Sequence, residues 1–269
     1  MPSEEVPVAV AQFAPGTDKA ANLATIGALA QRAADRGARL VVFPEYSSFF
    51  TPELGDRAVA AAEPLDGPFV AGLARIAGTV GATIVAGMLE TTGTPDRFSN
   101  TLVAVSDGGD LLAKYRKIHL YDAFGQRESD SVLAGAIDAP ETFAVGGFTA
   151  GLQTCYDLRF PESTRRLVDA GVDLVLVPSE WVRGPLKEAH WRVLVTARAV
   201  ENTVYVVAAD QAPPIGAGNS MIVDPMGVEV ATVGENTDVG LAWASPARLV
   251  EVRKINPALA LRRFRVVPL

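Results

Sequence analysis

The chain of 269 residues has one cysteine, Cys155, and two histidines, His119 and His190. A single cysteine excludes an internal disulfide, as is common in reducing compartments. Structural zinc sites need several cysteine or histidine ligands, and no His-Glu-x-x-His arrangement occurs. The glycine-rich phosphate loop Gly-x-x-x-x-Gly-Lys is also absent, which argues against a nucleotide-driven ligase. We therefore expect no metal and no other cofactor.

Clustered basic residues and long apolar runs are missing too. The 24 Lys and Arg residues against 31 Asp and Glu residues give a net charge of −7. Nucleic acids and anionic membranes are bound through clustered Lys and Arg, so we expect neither as a partner. No run reaches the roughly 18 apolar residues of a membrane span. Residues 1–5 are acidic, unlike the basic start of a signal peptide, and a cytoplasmic location is expected.

Hydrophobic residues make up 49% of the chain, and their spacing alternates between strand and helix patterns. Helices are predicted over 22–36, which Asp18 can cap, and over 68–80, 161–170 and 186–201. The buried strand segments 40–45 and 174–178 resemble each other, and each half combines strand–helix crossovers with hairpins. Helices from such crossovers cover one face of a sheet. This pattern predicts an α/β fold in which two sheets pack face to face, a four-layer α-β-β-α sandwich. No low-complexity linker interrupts it, so a single domain over 1–269 is expected.

Cys155 stands between an apolar strand, 148–154, and a predicted helix. A nucleophile at a strand-to-helix junction projects from the sheet edge, and the following N–H, here of Tyr156, can face an oxyanion. A lone cysteine is more often a buried, unreactive side chain. This residue alone therefore does not decide between the two interpretations.

Two charged residues also follow predicted strands. Glu45 comes after the buried strand 39–43 and a proline, and Lys117 ends the strand 111–116. The glutamate could instead be an exposed strand cap, and the lysine could protect a sheet edge. Together with a cysteine, however, these residue types suit one reaction. A thiolate attacks a carbonyl, a carboxylate moves protons, and an ammonium stabilises negative charge.

Three segments, Phe43-Pro-Glu-Tyr46, Tyr115-Arg-Lys-Ile-His-Leu120 and Cys155-Tyr-Asp-Leu-Arg-Phe-Pro-Glu162, closely resemble the nitrilase superfamily of carbon–nitrogen hydrolases. The third segment is most similar to the Nit-type amidase branch. The resemblance continues through Gly184, 189–191, 198–202 and 224–227. It implies the nitrilase-type sandwich, a triad of Glu45, Lys117 and Cys155, and a second catalytic glutamate. Glu128 occupies the matching place, although it could also be a solvated loop residue.

The resemblance also implies a substrate class, a small carboxylate-bearing amide such as an ω-amide of a 2-oxo acid or a deaminated peptide. Hydrolysis through a cysteine thioester would give a carboxylic acid and ammonia. Arg159 or Arg183 could bind the carboxylate bidentately, although Arg159 could instead pair with its neighbour Asp157. The residues expected to contact substrate are Tyr46, Tyr121, Tyr156, Arg159 and Trp181. Trp181 belongs to a segment, 179–181, that is bulkier than the family pattern.

Three alternatives stay open at this point. The same triad could serve an N-carbamoyl hydrolase or a nitrilase. A Cys–His hydrolase could use His119, or the fold could be a non-catalytic binding protein. The resemblance further implies a homodimer or higher homo-oligomer, with the tail 256–269 at the interface between subunits.

Overall fold

The computed structural model of the protein describes residues 4–269; residues 1–3 of the acidic start lie outside the described part. The strands are β1 (Val6–Gln12), β2 (Leu40–Val42), β3 (Thr83–Thr91), β4 (Phe98–Val105), β5 (Leu111–Arg116), β6 (Thr142–Val145), β7 (Phe148–Leu152), β8 (Leu174–Ser179), β9 (Tyr205–Asp210), β10 (Met221–Val223), β11 (Glu229–Thr232) and β12 (Asp238–Ala244). The α-helices are α1 (Lys19–Ala34), α2 (Asp56–Ala61), α3 (Pro68–Val80), α4 (Pro161–Asp169), α5 (Lys187–Asn202) and α6 (Pro246–Ile255). Short 3₁₀ helices cover Glu128–Asp130 and Cys155–Arg159.

These strands form two six-stranded mixed sheets. The first has the order β12-β1-β2-β3-β4-β5, and the second has the order β11-β10-β9-β8-β7-β6. Strands β1, β2 and β3 are parallel in the first sheet, as are β7, β8 and β9 in the second. The neighbours on either side run antiparallel. Each sheet therefore has a parallel centre, where neighbouring strands have their carboxyl ends on the same edge.

Period-two alternation along the central strands separates the layers. On β2, Val42 faces the second sheet and joins the core between the sheets, whereas Val41 faces the opposite way. Helices α1 and α3 cover that outer face, where Ile26 and Leu73 are fully buried. On the outer face of the second sheet, Trp191 of α5 packs in the same manner. The predicted four-layer α-β-β-α sandwich is confirmed.

Element boundaries differ from the sequence prediction by a few residues. Asp18 is the N-cap of helix α1, as predicted, and accepts the Ala20 N–H at 2.9 Å; the helix therefore begins at Lys19 rather than at 22. Strand β7 ends at Leu152, earlier than the predicted 148–154. The chain then leaves the sheet before Cys155 and turns into the 3₁₀ helix.

The tail 256–269 contains neither helix nor strand, and it exposes Leu261, Phe264 and Val267. Arg262 ties it to the body through an ion pair with Asp169 at 2.6 Å. Its place at an oligomer interface stays a prediction. Within residues 4–269, no helix combines the length and apolar character needed to cross a membrane.

Candidate active site

Glu45 leaves the carboxyl end of β2 in a sharp turn and is 1% exposed. The turn places Tyr46 at a positive φ of 59°. Gly87 of β3 lies directly against it, because a Cβ at Gly87 would stand 2.5 Å from the Tyr46 nitrogen. Glycine at 87 thus lets the chain turn against the neighbouring strand and points the glutamate between the two sheets.

Both oxygens of the Glu45 carboxylate are hydrogen-bonded. Oε1 accepts from Asn100 Nδ2 at 2.6 Å and from Lys117 Nζ at 2.9 Å. Oε2 accepts the backbone N–H of Glu180 at 2.7 Å. Lys117 directly follows β5 and is equally buried, so the predicted glutamate–lysine contact is present.

Glu128 joins the same cluster from the loop after β5. Lys117 Nζ lies 2.9 Å from Glu128 Oε2, and Tyr46 donates its hydroxyl to Oε1 at 2.6 Å. The backbone N–H of Tyr121 donates to Oε2, also at 2.6 Å. Asn100 Nδ2 bridges to Glu128 Oε1 at 3.0 Å. Glu128 is therefore a buried charge partner of Lys117 and not the solvated loop residue of the alternative interpretation.

Cys155 begins the 3₁₀ helix at a positive φ of 45°, an uncommon conformation for a residue with a Cβ. The turn is fixed on both sides. Thr154 donates its hydroxyl to the Pro178 carbonyl at 2.6 Å, and Asp157 accepts the Thr154 N–H at 3.0 Å. The Cys155 thiol donates to the carbonyl oxygen of Glu180 at 3.3 Å. The main chain of Glu180 thus contacts both the thiol and the Glu45 carboxylate.

The two glutamates differ in their titration. Burial raises the pKa of Glu45. The positive charge of Lys117 lowers this pKa, whereas the negative charge of Glu128 raises it further. Burial also opposes ionisation of Glu128, but Lys117 and the hydrogen bonds from Tyr46 and Tyr121 lower its pKa below the ordinary value. Lys117 itself loses solvation, yet Glu128 and Glu45 raise its pKa well above the usual range. Glu128 and Lys117 thus form a stable ion pair, and Glu45 is the more basic carboxylate.

Burial, followed by the Glu45 charge, raises the pKa of the Cys155 thiol well above its ordinary value, although Lys117 opposes the shift. The resting thiol is therefore protonated. It can become a nucleophile only when a nearby base accepts its proton.

Four of the predicted substrate contacts pack against one another in pairs. Tyr121 and Tyr156 meet edge to face at 5.1 Å, and Arg159 stacks over Trp181 with its guanidinium carbon 5.0 Å from the ring centre. The fifth, Tyr46, is buried and directs its hydroxyl to Glu128, so it positions that carboxylate.

Neither arginine considered for a substrate carboxylate behaves as a structural partner of Asp157. Arg159 forms no ion pair with Asp157, whose contacts include the Tyr115 hydroxyl at 2.7 Å. Arg183 lies at the surface and pairs with Glu235 at 3.0 Å and Glu188 at 3.4 Å. Of the two arginines, only Arg159 packs against another predicted substrate contact, Trp181.

His119 does not contact the thiol. Its Nδ1 lies 2.7 Å from Asp157 Oδ1, and its ring stacks on Phe160 with centroids 3.8 Å apart. This geometry gives no support to a Cys–His pair. Among residues 4–269, no group of three or more histidine, cysteine, aspartate or glutamate side chains is arranged to hold a metal ion.

The sequence model of the carbon-nitrogen hydrolases matches residues 7–254. The chain belongs to the carbon–nitrogen hydrolase family. The predicted family and the predicted enzyme class, a hydrolase of non-peptide carbon–nitrogen bonds, are confirmed.

Individual relatives agree with this assignment. A deaminated glutathione amidase of Escherichia coli O157:H7 is 38% identical over 257 residues, which cover 96% of this chain and 97% of the relative. The NitFhit protein of C. elegans superimposes with a TM-score of 0.89 at 28% identity, over 98% of this chain and 66% of that longer chain. An amidase variant from Nesterenkonia sp. AN1 superimposes with a TM-score of 0.78 at 25% identity, over 97% and 98% of the two chains. That structure shows covalent addition of the acetamide moiety of fluoroacetamide at its active site cysteine.

Three residues of this carbon–nitrogen hydrolase were not predicted from the sequence, namely Asn100, Glu180 and Lys187. Asn100, on β4, bridges the carboxylates of Glu45 and Glu128. An amide side chain on an otherwise apolar strand could have indicated this residue in the sequence, because a buried amide needs hydrogen-bond partners. Glu180 follows β8 much as Glu45 follows β2, so the resemblance between the two strand segments pointed to it. Lys187 at the start of α5 had no distinguishing pattern.

Proposed function

We propose that this carbon–nitrogen hydrolase cleaves a small carboxylate-bearing amide to a carboxylic acid and ammonia through a thioester on Cys155. One observation carries the proposal. Glu180 accepts the Cys155 thiol on its carbonyl at 3.3 Å and donates its N–H to the Glu45 carboxylate at 2.7 Å. A nucleophile and a base are thereby fixed to the same residue, with the Lys117 ammonium 2.9 Å from the base.

In the first step, Glu45 accepts the thiol proton while the sulfur attacks the amide carbon. The raised pKa of the thiol favours proton transfer and attack in a single step, because no free thiolate exists before the substrate binds. Negative charge then develops on the carbonyl oxygen. In this mechanism two groups stabilise that charge, the Lys117 ammonium and the N–H of Tyr156. Tyr156 is second in the 3₁₀ helix, so its N–H has no acceptor within that helix.

The tetrahedral intermediate collapses as its C–N bond breaks, and Glu45 returns the proton to the leaving nitrogen, which departs as ammonia. Glu45 next removes a proton from water. The resulting hydroxide equivalent attacks the thioester carbon, and the C–S bond breaks with return of the proton to sulfur. The raised pKa of Glu45 suits a group that must both accept and return a proton. Glu128, with its lowered pKa, stays ionised and holds Lys117 in place.

The relatives support amide chemistry in particular. One is a deaminated glutathione amidase, and another carries an acetamide moiety on its active site cysteine. An ω-amide of a 2-oxo acid, or a deaminated peptide, combines an amide with a carboxylate. Arg159, stacked on Trp181, is the guanidinium available for that carboxylate.

The test is ammonia release from a panel of small amides, with wild type and Cys155→Ala compared in parallel. Because Cys155 is the single cysteine, an acyl adduct on that thiol is read directly from the intact mass. Turnover with a transient mass increase equal to the acyl group, both lost in Cys155→Ala, is the expected result. Ammonia release that survives in Cys155→Ala would refute the proposal. Carbon dioxide release would indicate the N-carbamoyl reaction instead, and turnover of nitriles alone would indicate a nitrilase.

A further inference from the structure

Lys187, the first residue of α5, is 7% exposed and has an aromatic surround. Its Nζ lies 4.8 Å from the ring centres of Phe124 and Trp181 and 4.9 Å from that of Tyr121. The ammonium donates one hydrogen bond, to the Tyr121 hydroxyl at 3.1 Å. Its other close neighbours are the three aromatic rings, with which the ammonium makes cation–π contacts.

Arg159 shares two of these rings. Its guanidinium carbon lies 5.0 Å from the ring centre of Trp181 and 5.4 Å from that of Phe124. The Nε atom is buried without an acceptor, and Nη2 has only a long contact of 3.4 Å with His190 Nδ1. Two cations therefore flank the same aromatic pair, and both keep donors free.

Neither cation has a counter-ion in the part of the chain that the structure describes. No carboxylate oxygen of residues 4–269 lies within 4.0 Å of the Lys187 or Arg159 nitrogens. Burial is costly to an unpaired ammonium and lowers the pKa of Lys187. Arg159 also lowers this pKa, whereas Cys155, Glu180 and Asp210 in their charged forms oppose the shift. Two unpaired cations around the same aromatic pair repel one another, and an anion bound between them offsets this repulsion.

The neighbouring Glu180 does not fill this role. Its Oε1 is buried and without a hydrogen-bond partner. Burial and the Glu45 charge raise the pKa of Glu180 well above its ordinary value, which favours the neutral carboxyl group. A neutral carboxyl leaves the charges of Lys187 and Arg159 uncompensated.

The two cations are also tied to the reacting groups. Arg159 lies in the same 3₁₀ helix as Cys155, four positions later. Tyr121 accepts from Lys187 with its hydroxyl, and its backbone N–H donates to Glu128 at 2.6 Å. Arg159 and Lys187 are thus connected, by the 3₁₀ helix and by Tyr121, to the residues around Cys155.

We propose that Lys187 binds the substrate carboxylate together with Arg159, and that Lys187 determines the preference for anionic over neutral amides. The inference rests on the proposed amide hydrolysis for its kinetic meaning. Arg159 offers a planar pair of donors, and Lys187 adds a point charge from the other side. Tyr121 and Trp181 exclude water from the ion pair. Phe124 is 68% exposed and forms the solvent side of this carboxylate subsite.

The kinetic test compares succinamate with butanamide, in which a methyl group replaces the carboxylate. Lys187→Met should lower kcat/KM for succinamate by about 10- to 100-fold, the value of a lost charge-assisted hydrogen bond. For butanamide the same variant should change kcat/KM by less than about threefold, because butanamide has no carboxylate for Lys187 to bind and the contacts to its amide group are unchanged. Lys254→Met removes an exposed lysine of α6 and is the matched control for loss of one positive charge. Lys187→Arg should recover part of the succinamate activity.

A binding measurement separates this inference from the proposed function. The Cys155→Ala variant lacks the nucleophile, so calorimetry can measure succinate binding to it without turnover. Adding Lys187→Met to this variant should weaken succinate binding by about 10-fold or more. A wild type that releases ammonia from no amide of the panel, but whose Cys155→Ala form binds succinate through Lys187, would refute the amidase proposal and keep the subsite. Equal losses for both amides, or unchanged succinate binding in Lys187→Met, would overturn the role of Lys187.

Discussion

Lys117 is the only cation within hydrogen-bond reach of two buried carboxylates in the described residues, and its removal has a calculable consequence. Its Nζ lies 2.9 Å from both Glu45 Oε1 and Glu128 Oε2. The Lys117→Met change keeps a similar length and apolar stem but deletes the charge. Removing one partner from a buried ion pair costs about 3–5 kcal/mol, because the other charge is left uncompensated.

The other donors to these carboxylates place the expected loss at the lower end. Asn100, the Tyr46 hydroxyl and the backbone N–H groups of Tyr121 and Glu180 all remain. We expect a loss of about 3 kcal/mol near pH 8. For a chain of this size that corresponds to a fall in Tm of roughly 6–12 °C.

The loss should depend on pH. Without Lys117, the pKa values of Glu45 and Glu128 rise, and a carboxyl with a raised folded-state pKa favours the folded state when it is protonated. The deficit of Lys117→Met is therefore complete above the raised pKa values and shrinks as the pH falls. Thermal unfolding at about pH 8 and about pH 5 measures this difference. Adding Glu128→Gln should recover part of the Tm without restoring activity.

Lys254→Met provides the control, since its side chain is exposed and makes no such contacts. A Lys117→Met variant within about 1 kcal/mol of wild type near pH 8 would refute the charge balance described above. A deficit of equal size at both pH values would do the same.

Four further outcomes are expected. Cys155→Ser should keep the Tm within a few degrees and lose kcat by about 10³-fold or more, since a hydroxyl is far less acidic than a thiol; retained kcat would discard the mechanism. Glu180→Gln should gain stability over wild type as the pH rises from about 4.5 to about 7.5, because burial and Glu45 raise the pKa of Glu180 and its ionisation then opposes folding; a gain independent of pH would contradict this. Light scattering at micromolar concentration should show a dimer or larger assembly that loses subunits when 256–269 is deleted, and a full-length monomer would disprove it. Chelator treatment should leave turnover unchanged, and activity lost and then restored by zinc would argue the reverse.

The sequence determined the layers and indicated the candidate reacting groups. Successive side chains of a strand point to opposite faces of the sheet in any environment. Neighbours such as Val41 and Val42 therefore belong to different hydrophobic cores, one on each face of the sheet. Family motifs around Glu45, Lys117 and Cys155 identified the candidate triad, since these segments are contiguous in the chain. Helix ends shifted by a few residues because caps such as Asp18 act over one turn.

Only the tertiary structure decided how these groups are charged and what lies beside them. Glu45 and Lys117 meet across 72 positions, and Glu45 and Glu180 across 135, through the packing of two sheets. Burial and neighbouring charges, which no local pattern records, separate the basic Glu45 from the ionised Glu128. Lys187 is likewise an ordinary first-turn lysine in the sequence. It becomes an unpaired buried cation because the start of α5 packs against Trp181 and against Tyr121 and Phe124 of a loop distant in the sequence.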